Sequence, residues 1–208
     1  MNRIEHREER WVFPFVEYSP EKKRRGLPLI IQLHGAGERG EGRDDLVLVD
    51  KHGFTHVISD SDREAIIVMP QCPKDDFWAA RVESLYIFVK DVIEYYGCDE
   101  NRVTITGSSM GGFGTWFFAM AHPELFAAIA PVCGGGMAWN ASRLTMPVWA
   151  FHGDQDETVT LIHSTEMVEK LKELKRDVKF TVFEGEGHII QKLAYTVELL
   201  DWLISKQK

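Results

Sequence analysis

Short, nearly unbroken apolar runs alternate along this chain with longer stretches in which apolar residues recur every three to four positions. The runs at residues 27–33, 65–69, 102–106, 126–132, 148–151 and 178–183 are rich in Val, Ile, Leu and Phe. Continuous apolarity over so few residues predicts strands covered on both faces, as in a parallel sheet. Residues 11–18 alternate loosely and predict one or two edge strands interrupted by Pro14, which has no ladder donor to give. Between the runs, residues 81–96 place Val82, Leu85, Val89, Val92 and Ile93 at helical spacing, and residues 113–122, 162–174 and 190–205 also predict helices. Pro123 stops the second of these. Strands alternating with helices predict the α/β class, with a mostly parallel sheet, helices on both faces and a three-layer α-β-α sandwich. A length of 208 residues suits one such domain over 1–208, and no repeat, low-complexity segment or linker divides it.

The connection between the runs at 126–132 and 148–151 holds only about fifteen residues and opens on Gly134-Gly135-Gly136. That is too short for a helical cap domain. A site at this end of the sheet should therefore be an open cleft and not a tunnel.

Composition narrows the function classes. A hydrophobic share of 44% and a charged share of 27% are ordinary for a soluble globular chain. The net charge of −8 argues against a nucleic acid or an anionic membrane as the main partner. The basic cluster Lys22-Lys23-Arg24-Arg25, beside Gly26 and Pro28, reads as a solvated turn. The first ten residues are densely charged and lack the apolar core of a signal peptide, and no apolar run is long enough to span a bilayer, so a cytoplasmic location is expected. Cys72, Cys98 and Cys133 are odd in number and widely spaced, which fits reduced thiols, and no metal-ligand spacing or cofactor motif stands out.

The candidate chemistry centres on Gly107-Ser108-Ser109-Met110-Gly111, directly after the β-branched run at 103–106. A serine with glycine two residues before and after it, between a strand and a helix, is the sequence form of a nucleophile elbow. Ser109, and not Ser108, is then the candidate nucleophile. A serine hydroxyl needs a base, and His188, in Gly185-Glu186-Gly187-His188 after the last predicted strand, is the candidate. The other histidines have blander settings: His6, His52, His56 and His163 lie in charged or surface-like segments, His122 ends a helix, and His34 and His152 precede glycines in turns. Asp154 and Asp156 both follow the run at 148–151. Asp154 can close the turn through its own backbone, whereas Asp156 stands far enough out to reach the histidine loop and is favoured as the orienting acid.

Small residues in Leu33-His34-Gly35-Ala36-Gly37 allow backbone N–H groups to approach a substrate oxygen, so the amides of Ala36 and Met110 are the candidate oxyanion donors. A phosphate-binding loop would need a lysine and a serine or threonine that do not follow here. Gln71, Trp78, Phe113, Met137 and Trp139 are candidate pocket walls, with core packing or a loop anchor as the alternative for Trp78, Phe113, Met137 and Trp139. Arg39 can meet a substrate carboxylate, but an ion pair with Glu38, Glu41 or Asp44 is favoured.

His34-Gly35-Ala36-Gly37-Glu38-Arg39-Gly40, Pro70-Gln71-Cys72-Pro73, Gly107-Ser108-Ser109-Met110-Gly111-Gly112 and His152-Gly153-Asp154-Gln155-Asp156 together resemble the α/β-hydrolase superfamily. They are most similar to its small carboxylesterase and phospholipase-like group, which borders on feruloyl esterases, polyhydroxyalkanoate depolymerases and predicted peptidases. The resemblance runs from Leu27 to the end of the chain. It implies a catalytic triad of Ser109, Asp156 and His188, an oxyanion hole of Ala36 and Met110, and hydrolysis of small carboxylic esters or thioesters through an acyl-enzyme. The implied partner is a small-molecule ester, without a cofactor, and a homodimer is left open. A serine peptidase acting on short peptides is the alternative; a non-catalytic binding protein with this fold is disfavoured because no triad member is missing. The chain is short for the fold, which implies loss of the first strand or of extra helices found in larger relatives.

Overall fold

The computed structural model describes residues 1–22, 24–58 and 63–208. Its elements run β1 (Asn2–His6), β2 (Phe15–Ser19), β3 (Leu29–Leu33), α1 (Thr55–Ile58), β4 (Ile66–Pro70), α2 (Val82–Tyr96), β5 (Val103–Ser108), α3 (Met110–Ala121), β6 (Ala128–Val132), β7 (Val148–Gly153), α4 (Ile162–Glu173), β8 (Val178–Phe183), α5 (Gln191–Ala194) and α6 (Val197–Ser205). The strands form one sheet in the order β1-β2-β4-β3-β5-β6-β7-β8. β1 and β2 pair antiparallel, as do β2 and β4, and every pairing from β4 to β8 is parallel.

The period-two alternation of each strand divides the core between the two faces of the sheet. Leu29, Ile31 and Leu33 of β3, Ile66 and Val68 of β4 and Val103 and Ile105 of β5 point to one face, where they pack with Leu85, Phe88 and Val92 of α2, Trp116 and Phe118 of α3 and Val168 and Leu171 of α4. Ile30, Ile67, Met69, Trp149 and Phe151 point to the other, under Ile58 of α1 and Leu199, Leu200 and Leu203 of α6. Burial on both faces is why these strands read as continuous apolar runs. The result is the expected three-layer α/β-hydrolase fold. Between β6 and β7 there is a 3-10 segment at Ala138–Arg143 and no cap domain.

Four expectations need correction. The first strand is present: β1 forms from the charged N-terminus, where three of its five side chains are exposed and ladder hydrogen bonds to β2 hold it, so no apolar pattern announced it. Residues 11–14 are not strand, yet Trp11 and Phe13 insert into the core beside Phe15 and Phe88. His6 is buried, not surface-like; its Nε2–H donates to Glu17 (2.9 Å), which also accepts from the Tyr96 hydroxyl (2.5 Å). The helix expected over 190–205 is two helices. Its break at Tyr195 seats that ring against Phe54, and Thr196 caps α6 by accepting from Leu199 N (3.3 Å).

In the basic cluster, Arg24 is exposed and pairs with Glu64, while Lys23 lies outside the described residues. Among the described residues no helix is long and apolar enough to cross a membrane. Cys72, Cys98 and Cys133 are buried free thiols.

Candidate active site

Ser109 is a one-residue turn between β5 and α3, at φ 58° and ψ −117°. A residue with a Cβ takes up such a conformation only where its surroundings enforce it. Here they do. A Cβ on Gly107 would lie 2.3 Å from Gly111 O, and one on Gly111 would lie 2.2 Å from Leu33 O. Glycine at both positions lets the start of α3 press against the ends of β5 and β3, which lifts the Ser109 side chain above the sheet.

The loops after β7 and β8 converge on it. The Ser109 hydroxyl donates to His188 Nε2 (2.8 Å), and His188 Nδ1–H donates to Asp156 Oδ2 (2.7 Å). The other oxygen of Asp156 accepts from the amides of Thr158 and Val159, each at 2.9 Å. Burial pushes the Asp156 carboxyl up, but the bonds from His188 and from the Val159 and Thr158 amides outweigh it and hold the group below the usual carboxylate range. Asp154 points elsewhere: its Oδ1 accepts from Gly185 N (2.8 Å) and ties the aspartate loop to the histidine loop. His152 is buried, with Nε2–H donating to Val159 O (2.7 Å) and Nδ1 paired with the Ser164 hydroxyl (2.7 Å), and burial lowers its pKa.

Ala36 and Met110 each begin a helical turn, so neither amide has an acceptor within its own helix. The Ala36 N–H belongs to the same peptide unit as Gly35 O, which accepts from His34 Nδ1–H (2.6 Å). His34 Nε2 accepts from Cys72 N (2.9 Å), and His34 O accepts from Trp78 Nε1–H (3.1 Å). Burial lowers the His34 pKa to about 4, so the ring is neutral and acts as a fixed brace for this loop.

A cleft of about 280 Å³ lies beside Ser109. Its lining includes Ala36, Glu38, His52, Ser108, Thr158, His188, Ile189 and Gln191, and Ile189 at its rim is 77% exposed. The five residues expected as pocket walls are not in it. Trp78 is wholly buried and anchors the His34 loop, edge-on to Phe13. Gln71 is buried too, donating to Glu38 O (3.1 Å) and Asp45 O (3.0 Å) and accepting from Gly42 N (2.8 Å), which pins the same loop from below. Phe113 packs edge-on to His163 at the start of α4, Met137 rests on the main core, and Trp139 is 80% exposed in the 3-10 segment. Arg39 forms none of the expected ion pairs. It donates to Ala36 O and Asp76 O and covers Phe77.

Thr158, Ile189 and Gln191 were findable as chain neighbours of Asp156 and His188, and Glu38 as part of the glycine-rich loop. His52 carries no local signal, because it reaches the cleft from an irregular segment placed by tertiary packing. Cys133, Asp156 and His188 also offer potential ligand atoms within 4.8 Å of one another. Their donors are otherwise engaged: Asp156 and His188 bond to each other, and burial pushes the Cys133 thiol up to about 12, so it stays protonated.

Residues 57–192 match the model of the dienelactone hydrolase family. The chain belongs to that family. A bifunctional acetylxylan esterase/xylanase of Neocallimastix patriciarum is 27% identical to this family member over 148 residues, 68% of this chain and 21% of the relative. Among solved structures, a thermostable esterase superposes with a TM-score of 0.80 at 28% identity, covering 100% of this chain and 63% of the other. An acetyl xylan esterase from Aspergillus awamori superposes with a TM-score of 0.70 at 15% identity, covering 98% and 99%, which speaks to the fold alone. This dienelactone hydrolase family member thus spans only part of the curated relative and of the thermostable esterase.

Proposed function

We propose that the protein is a serine hydrolase that cleaves small carboxylic esters through an acyl-enzyme on Ser109. The observation that carries the reading is the continuous chain of hydrogen bonds from Ser109 Oγ through His188 to Asp156, at 2.8 and 2.7 Å. As Ser109 Oγ attacks the acyl carbon, its proton passes to His188 Nε2, and the carbonyl π electrons move onto oxygen within reach of the Ala36 and Met110 amides. When the tetrahedral adduct collapses, His188 returns that proton to the departing alkoxide. Water then enters and gives a proton to His188 as its oxygen bonds to the acyl carbon. When this second adduct collapses, the bond from that carbon to Ser109 Oγ breaks and His188 returns the proton to Oγ, which releases the acid and leaves Ser109 and His188 as they began. Asp156 holds the Nδ1–H tautomer and steadies the imidazolium. The esterase names among the similar proteins agree with an ester substrate.

The test is a fluorophosphonate probe with the adduct located by peptide mass spectrometry, run alongside hydrolysis of p-nitrophenyl esters and of an anilide with the same acyl group. Labelling at Ser109 with ester turnover far above anilide turnover is expected. A folded sample that neither labels nor turns over would overturn the reading, and anilide turnover equal to that of the ester would replace it with a peptidase.

A further inference from the structure

The cleft beside Ser109 holds a carboxylate that the proposed reaction does not use. Glu38 ends the 3-10 turn Ala36–Glu38, and its side chain is only 12% exposed. The point where Gly35 lacks a Cβ lies 3.1 Å from Glu38 Oε2 and 3.8 Å from Ser109 Cβ, so the carboxylate and the Ser109 side chain both border the space left by Gly35. Gln71 fixes the Glu38 backbone by donating to its carbonyl, which leaves the side chain to the cleft. Among the described residues no group donates a hydrogen bond to this carboxylate, and its ion-pair neighbour is His52, with Nε2 3.9 Å away. The adjacent Arg39 turns outward to backbone carbonyls and Phe77. Among the described residues no lysine or arginine lines the cleft. Gln191, also in the lining, donates from Nε2 to Ser108 Oγ (2.9 Å), while its buried Oε1 has no partner among the described residues.

A largely buried carboxylate without a donor is unfavourable, and an anion next to the oxyanion donors opposes the charge that develops on the substrate. A substrate that brings its own donor to Glu38 relieves both. An alkyl group relieves neither, and a substrate carboxylate worsens both. We infer that Glu38 is a specificity-determining residue that selects esters whose alcohol portion carries a hydrogen-bond donor, hydroxyl or ammonium, close to the ester bond, and that it excludes anionic esters. This rests on the proposed nucleophilic role of Ser109.

The test compares four acetates by pH-stat at near-neutral pH: butyl acetate, glycerol 1-acetate, protonated 2-(dimethylamino)ethyl acetate and 3-acetoxypropanoate. In the unaltered protein, kcat/KM for at least one donor-bearing ester should exceed that for butyl acetate by about tenfold, with the anionic ester about tenfold below it. Glu38→Gln keeps size and polarity; it should remove the ammonium advantage and the anionic penalty while keeping part of any hydroxyl advantage. Glu38→Leu should bring all four to within about threefold of one another. Whichever donor loses its advantage in Glu38→Leu is the one selected. An unchanged ranking across the three proteins overturns the inference. If no acetate is hydrolysed and Ser109 does not label, the hydrolase reading fails by itself. The role of Glu38 is then decided by ligand-observed NMR on the folded protein: glycerol 1-acetate or the ammonium ester must bind more tightly than butyl acetate, and must lose that margin in Glu38→Leu. Equal binding of all the esters overturns it.

Discussion

Asp154 and Asp156 stand two positions apart on one loop and serve different partners. Asp156 Oδ2 holds the His188 imidazole, whereas Asp154 closes the gap to Gly185. Asp156→Asn should lower kcat by about four orders of magnitude, because an amide favours the wrong histidine tautomer. Asp154→Asn keeps an oxygen for Gly185 N–H and should change kcat by less than about threefold. Steady-state kinetics on one p-nitrophenyl ester separates the two, and a reversed order would reassign the acid. His34 makes a different kind of prediction. Its folded pKa of about 4 lies below the ordinary histidine value, so the unfolded chain takes up a proton first as pH falls. The stability His34 contributes is therefore intact above about pH 6.5 and is lost between there and about pH 4, by about 3 kcal/mol in all. Urea unfolding at stepped pH should show a steeper acid loss in the unaltered protein than in His34→Gln. Parallel slopes would mean that His34 is not held neutral.

The turn joining β5 to α3 depends on two glycines whose missing side chains face main-chain atoms, which cannot move aside as a flexible side chain could. Gly107→Ala and Gly111→Ala should each remove nearly all activity and lower the urea midpoint, whereas Gly37→Ala, with open space around it, should leave the midpoint unchanged. Thr196→Ala should weaken α6 by about 1 kcal/mol through loss of its cap. These features differ in how far they could be read from residue order. The central strands, α2, α3 and α4 were legible because burial on defined faces writes a periodic pattern. The elbow, and the loops carrying Asp156 and His188, were legible because tight turns demand particular residue types. β1 and the break at Tyr195 were not, since one rests on backbone pairing and the other on a buried ring meeting Phe54. The cleft walls were hidden for the same reason: Trp78 and Gln71 look like rim residues in sequence, yet the fold turns both inward as supports.

All the groups proposed for catalysis stand at the carboxyl ends of strands β3, β5, β7 and β8, on loops that a parallel sheet brings to one edge. The opposite flank is closed by β1, whose His6 reaches Glu17 under the sheet. His6→Ala removes one donor from a buried carboxylate and should cost about 1–3 kcal/mol of stability with kcat unchanged, as measured by urea unfolding and ester turnover.

The outermost position of β8 gives the proposed base a separate vulnerability. Among the described residues β8 pairs only with β7, and none of its residues is fully buried, yet the loop that follows it carries His188. Edge segments with few buried contacts open before the centre does. Heating or dilute denaturant should therefore unlatch the histidine loop while the central strands still hold together, and the protein should lose turnover reversibly at temperatures where its circular dichroism is still that of the native state.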